Sequence, residues 1–158
     1  MTRWLRARLL LGLGALGCAG LPGLPENPDI QLSRVVVRGL GVTGGNLDLV
    51  LDVRNPNQFD LRGTRLVAGF EVEDTHVGDV TYDNPYTVPR DGVTDVTLPL
   101  RFTWSGVGAA FRSLLGAGDI PYTMKGQATL TAVGTTINVP FTRRGRAPIS
   151  RVRVSPIP

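Results

Sequence analysis

The chain has 158 residues, enough for one domain with its own core. Its single cysteine, Cys18, excludes a disulfide framework and any zinc site built on cysteines. The formal net charge of +4 overstates how basic the folded part is: without Arg3, Arg6 and Arg8, the 17 basic residues fall to 14 against 13 acidic ones, and no aromatic-rich basic motif favours nucleic acid.

Residues 1–17 have the layout of a secretory signal peptide. Arg3, Arg6 and Arg8 form a positive start, and Leu9 to Leu16 form a short apolar stretch. That stretch is too short to span a bilayer, which takes about 20 residues. Gly12, Gly14 and Gly17 also argue against a buried helix, since each costs about 1 kcal/mol in a helix interior. The run Leu13-Gly-Ala-Leu-Gly-Cys18 resembles a lipobox, although Ala15 and Leu16 stand where the usual pattern has leucine and then a small residue. The resemblance implies cleavage between Gly17 and Cys18 and a diacylglycerol thioether on Cys18, which becomes the new N-terminus. Each buried CH₂ of such a lipid contributes about 0.8 kcal/mol to membrane attachment. Ala19 follows the cysteine where aspartate favours inner-membrane retention in many Gram-negative bacteria, so the same resemblance points to the outer membrane. Residues 18–28, with Pro22, Pro25 and Pro28, read as an irregular tether.

The next 114 residues, 29–142, alternate apolar and polar positions. Val35 to Val37 belong to a first strand. Leu47, Leu49, Leu51 and Val53 share a face, with Asn46, Asp48 and Asp52 opposite. Leu66, Ala68, Phe70 and Val72 form the next strand, and Val80 to Tyr86 a short one. Val96, Leu98, Leu100, Phe102 and Trp104 follow, then Tyr122 to Leu130, then Ile137, Val139 and Phe141. Period-two alternation marks half-buried strands. About seven of them, separated by Gly, Pro, Asn and Asp clusters, predict an all-β antiparallel sandwich. Pro99 lacks a ladder donor, which puts its strand at an edge or at a bulge.

One segment has helical spacing: Val107, Ala110, Phe111, Leu114 and Leu115. It predicts a helix over about 105–115, capped by Ser105, ended by Gly116 and covering an open end of the sandwich. Beyond residue 142, Arg143, Arg144, Arg146, Arg151 and Arg153 make residues 143–158 a basic tail, free in solvent or touching anionic lipid or a partner.

No arrangement points to catalysis, a metal or a cofactor. Gly39 to Gly44 read Gly-Leu-Gly-Val-Thr-Gly, but a dinucleotide site needs a helix next, and a strand follows. His76 is the only histidine, among carboxylates of a turn, and no serine lies in a nucleophile-elbow pattern. In Asn55-Pro56-Asn57, Pro56 suits the first corner of a turn, Asn55 can accept a backbone hydrogen bond and Asn57 tolerates left-handed geometry. The motif is structural by this reading.

The stretch Val50-Leu-Asp-Val-Arg-Asn-Pro-Asn-Gln-Phe-Asp-Leu61 resembles the late embryogenesis abundant type 2 family, which contains the WHy (water stress and hypersensitive response) domain. Leu66 to Val72, Val88-Pro-Arg-Asp-Gly92, Val96-Thr-Leu-Pro-Leu100, Ile120-Pro-Tyr-Thr-Met-Lys-Gly126 and Ile137-Asn-Val-Pro140 follow in the family's order. The resemblance implies a fibronectin-III/immunoglobulin-like sandwich, a link to desiccation and other stress, and no known catalysis. Three roles fit: a protective or structural envelope lipoprotein, a module binding lipid or an apolar ligand, and an accessory subunit of an envelope assembly.

Overall fold

A computed structural model describes residues 25–152. The lipobox, Gly17 and Cys18, and Arg153 of the basic cluster lie outside them. Eight strands and one helix follow in the order β1 (Asp29–Leu40), β2 (Gly44–Arg54), β3 (Leu61–Val72), β4 (Thr75–Tyr82), β5 (Tyr86–Val88), β6 (Val93–Thr103), α1 (Trp104–Leu114), β7 (Asp119–Ala132) and β8 (Thr135–Arg151).

The alternating residues face one core, as their spacing requires. Leu47, Leu49, Leu51 and Val53 are fully buried, as are Leu66, Phe70, Leu98, Ala128 and Leu130. Each apolar side chain taken from water in this way contributes about 1.5–3 kcal/mol. Asp48 departs from the pattern. It lies on the face expected to meet water, yet it is buried and receives a hydrogen bond from Nε of Arg38. The carboxylate tolerates that position because the guanidinium supplies charge and donor together.

The pairing differs from an antiparallel sandwich of about seven strands in three ways. There are eight strands, because the segment expected as one short strand divides into β4 and β5. All strands join one path, β4-β3-β7-β8-β1-β2-β6, with β5 added beside β3. The sheet is also mixed: Val35, Val36 and Val37 of β1 pair in parallel with Ile149, Ser150 and Arg151 of β8. The 17 residues of β8 make this possible. The first part pairs with β7 and the last three residues with β1. Arg143 reinforces the junction with a 2.6 Å hydrogen bond to Asp29. Burial works to raise the Asp29 carboxyl, but hydrogen bonds from Arg143 and Gln31 and the nearby positive charge outweigh it and hold the group below its ordinary range. The basic segment is therefore strand as far as Arg151, past the boundary at residue 142.

The path curls until its terminal strands nearly meet, giving a barrel-like shape. A Cβ on Gly78 of β4 would stand 2.8 Å from Cδ1 of Leu100 on β6, so glycine permits the approach. β6 pairs only with β2, and Pro99 lies on this terminal strand, as its missing donor requires.

Helix α1 packs on β4 and β6, across the seam. It starts at Trp104, with Thr103 rather than Ser105 at the N-cap, and Ser105 donates to the Thr103 hydroxyl instead. Gly108 takes φ 72°, which breaks the helical phase. Val107 and Phe111 are buried, as their spacing predicts, whereas Ala110, expected on the apolar face, is exposed.

The two ends of the barrel differ. Asp29 pairs with Arg54 and Arg54 with Val93, which puts the Asn55 turn at one end. Gly44 pairs with Thr103, which puts the β1–β2 turn and α1 at the other. Arg62 pairs with Thr131, so the β7–β8 turn lies beside the start of β3, at the Asn55 end. In that turn Val133 and Gly134 have φ 48° and 80°. Two positive values mark the type I′ pattern, which favours Asn-Gly, and a β-branched residue is strained there. Val133→Asn is expected to stabilise the fold by about 1 kcal/mol, read as a higher urea midpoint with unchanged slope.

Candidate functional site

Of the residues singled out in the sequence, the structure brings Asn55 and Asn57 together, with Pro56 exposed at the corner between them. Asn55 is 1% exposed. Its Nδ2 lies 2.7 Å from the carbonyl of Phe59 and 3.2 Å from those of Val88 and Pro89. Two N–H hydrogens are thus shared among three acceptors. Its Oδ1 accepts from the backbone N–H and the side-chain Nδ2 of Asn57, both at 3.0 Å. The first of these is the Asx turn that the residue types predict. Asn57 does not use left-handed backbone, since it is not among the residues with positive φ.

The Asn57 side chain has a different task. Its Oδ1 accepts from the backbone N–H of Glu26 at 2.7 Å, and its Nδ2 donates to the Glu26 carbonyl at 2.9 Å. The carboxamide thus pairs with a residue 31 positions earlier as a neighbouring strand would. Pro28 beyond it is buried, so the expected tether is already fixed at Glu26. The backbone closes the same knot: Asn55 N donates to Gly92 O at 2.9 Å, and Asp91 N to Asn57 O at 3.0 Å. Asp60 Oδ1 takes the N–H of Arg90 at 2.9 Å. Three segments distant in sequence are tied by two side chains. Every polar atom of both carboxamides has a partner within the fold, which leaves none to hold a ligand.

His76 stands on β4 with its side chain 55% exposed, and its Nε2 is 3.3 Å from Asp79. Glu71 pairs instead with Lys125, at 3.5 Å. Among the described residues no three His, Cys, Asp or Glu side chains gather at metal-binding distance. The Gly39–Gly44 motif makes the β1–β2 connection and leads into a strand. A Cβ on Gly44 would lie 2.0 Å from the Phe102 carbonyl, so the motif's last glycine is the one that β2–β6 pairing requires.

The helix end carries a cleft between the Gly39–Gly44 connection and α1. It measures about 530 Å³ and is lined by Leu40, Gly41, Val42, Trp104 and Arg112. Trp104 anchors it: Nε1 donates to Gly41 O at 2.8 Å and the backbone N–H to Thr43 O at 3.0 Å. The Arg112 guanidinium lies 4.2 Å from the centre of the indole ring, a cation–π contact. Phe102 meets Trp104 and Phe111 edge-on, both at 5.0 Å. The two sides of the cleft, Leu40 to Val42 and Trp104 to Arg112, lie more than 60 positions apart, and the β2–β6 pairing and the turn into α1 bring them together.

A Late embryogenesis abundant protein family model matches residues 50–145. No curated protein matches the chain. The solution structure of an Arabidopsis thaliana protein superposes with a TM-score of 0.63 at 14% identity, covering 83% of this chain and 87% of the other. The solution structure of a protein named as a late embryogenesis abundant (LEA) protein gives 0.52 at 18% identity, covering 78% and 72%. At these identities the superpositions carry the fold alone.

Asn55→Ala removes the side-chain donor shared by the carbonyls of Phe59, Val88 and Pro89, of which Pro89 keeps the Gly92 N–H, and strips Asn57 of its acceptor; it is expected to cost about 3 kcal/mol, measured by urea unfolding. Asn55→Asp keeps the shape but loses the donor, and at pH 7 should fare no better than alanine. Asn57→Ala should cost less, about 2 kcal/mol, and should speed hydrogen exchange at Glu26.

Proposed function

This chain belongs to the late embryogenesis abundant type 2 family, and on that premise we propose that it is a non-enzymatic envelope lipoprotein, held to a membrane by lipid on Cys18. Its role in this reading is protective or structural during water loss, the stress that the family resemblance implies. The observation that carries the reading is the use made of the buried polar groups. Asn55 and Asn57 spend every donor and acceptor on holding three segments together, and Asp48 is neutralised by Arg38. The body is thereby a scaffold, and its link to Cys18 leaves from a fixed point, Glu26. Ala19 after the cysteine favours the outer membrane of a Gram-negative cell.

A second reading is binding of a lipid or another apolar ligand. It draws on the cleft of about 530 Å³ beside Trp104 and Val42. The barrel interior is occupied by core side chains, so such a ligand would sit at the helix end rather than between sheet faces. Native mass spectrometry of the purified chain checks this: co-purifying lipid lost on Trp104→Ala would favour it.

For the anchor, Cys18→Ala is expected to leave an uncut precursor or to release the protein from the membrane fraction. Normal cleavage with full membrane retention would overturn the proposal. For the role, deletion of the gene should lower survival of drying and osmotic shock, and unchanged survival of both would remove the protective reading.

A further inference from the structure

We infer that the Asn55 end of the barrel faces the bilayer, with Val133 at the β7–β8 tip entering the lipid interface. The inference rests on the anchor at Cys18 proposed above and adds an orientation and a contact surface to it.

The first observation is the length of chain between anchor and domain. Eight peptide links separate Cys18 from Glu26, which Asn57 grips through both backbone groups. Fully extended, they reach about 26–29 Å. Along β2 the two ends are about 33 Å apart, and with the tilt of barrel strands about 23–27 Å in height. Standing on its helix end would take nearly the whole tether fully stretched along the wall, so the Asn55 end, where the chain is gripped, is the one held near the lipid.

The second observation is independent of the tether. Val133 is 83% exposed and holds φ 48°, where a β-branched side chain is strained. It projects from the same end, beside the start of β3. Val93, 44% exposed, opens β6 there, paired with Arg54. Around them Arg54, Arg62 and Arg90 are matched by Glu26, Asp60 and Asp91, so the surface has no strong net sign and the contact is apolar rather than electrostatic. A single valine binds lipid weakly. With the domain already tethered, its effective concentration at the surface is high, and a weak contact is enough to orient it.

The test uses the full lipidated chain, purified and reconstituted in phosphatidylcholine vesicles. Since Cys18 is blocked by its thioether, V133C, V93C and V42C each offer one thiol for an environment-sensitive fluorophore. At residues 133 and 93 the emission should shift to the blue and be quenched by brominated phosphatidylcholine. At residue 42, which is 96% exposed at the opposite end, neither change should occur. Val133→Asp in the chain labelled at residue 93 should abolish the quenching there. If the protein floats with the vesicles but residue 42 is the quenched position, or none is, the orientation is wrong while the anchor stands. If the protein does not float and no lipid mass is found on Cys18, the anchor reading fails and this inference falls with it.

Discussion

One carboxamide holds the rest of the fold in place. Asn55 is buried at the point where β2 must hand over to β3, a place where the chain has no ladder to satisfy its carbonyls. Its two N–H hydrogens serve Phe59, Val88 and Pro89, and its oxygen fixes Asn57. The constraint is polar satisfaction. A buried carbonyl without a donor costs about 1–3 kcal/mol; one side chain serves Phe59 and Val88 and shares Pro89 with the Gly92 N–H. Because Asn57 is fixed in turn, the chain entering at Glu26 is fixed too.

From that end the sheet curls into a barrel whose closure is incomplete. The long β8 links its halves, first as an antiparallel partner of β7 and then as a short parallel partner of β1. Between β4 and β6 the barrel stays open by one ladder. The close approach at Gly78 and the helix lying over both strands protect those edges, which would otherwise present unpaired backbone groups to other chains. Gly108 interrupts α1, whose Val107 and Phe111 are buried while Ala110 is exposed.

The consequences for function follow from where polarity is spent. The interior is apolar, and its buried polar residues Asp48, Asn55 and Asn57 are spent on structure. Two features able to meet another molecule stand at the two ends. The helix end has an aromatic cleft, Trp104 under Arg112, and the Asn55 end has the exit toward Cys18 and a strained, exposed valine. A barrel with two distinct ends suits the anchored scaffold proposed above.

How much of this was legible beforehand depends on how local each feature is. Alternation of apolar residues is a property of neighbours, so Leu47 to Val53, Leu66 to Val72 and Val96 to Phe102 announced strands, and the Asx turn at Asn55 lies within three residues. The order of the family motifs is likewise written in the linear chain. Pairing is not local. That β8 would run to Arg151 and lie parallel to β1 depends on a register between residues more than 100 positions apart. Alternation placed Asp48 in water, because it reports which face a residue takes and not that Arg38 covers that face. The partners of Asn55 at Val88 and Pro89, and of Asn57 at Glu26, were invisible for the same reason: a donor's identity is in the sequence, but its acceptors exist only once the tertiary structure has brought distant carbonyls to it.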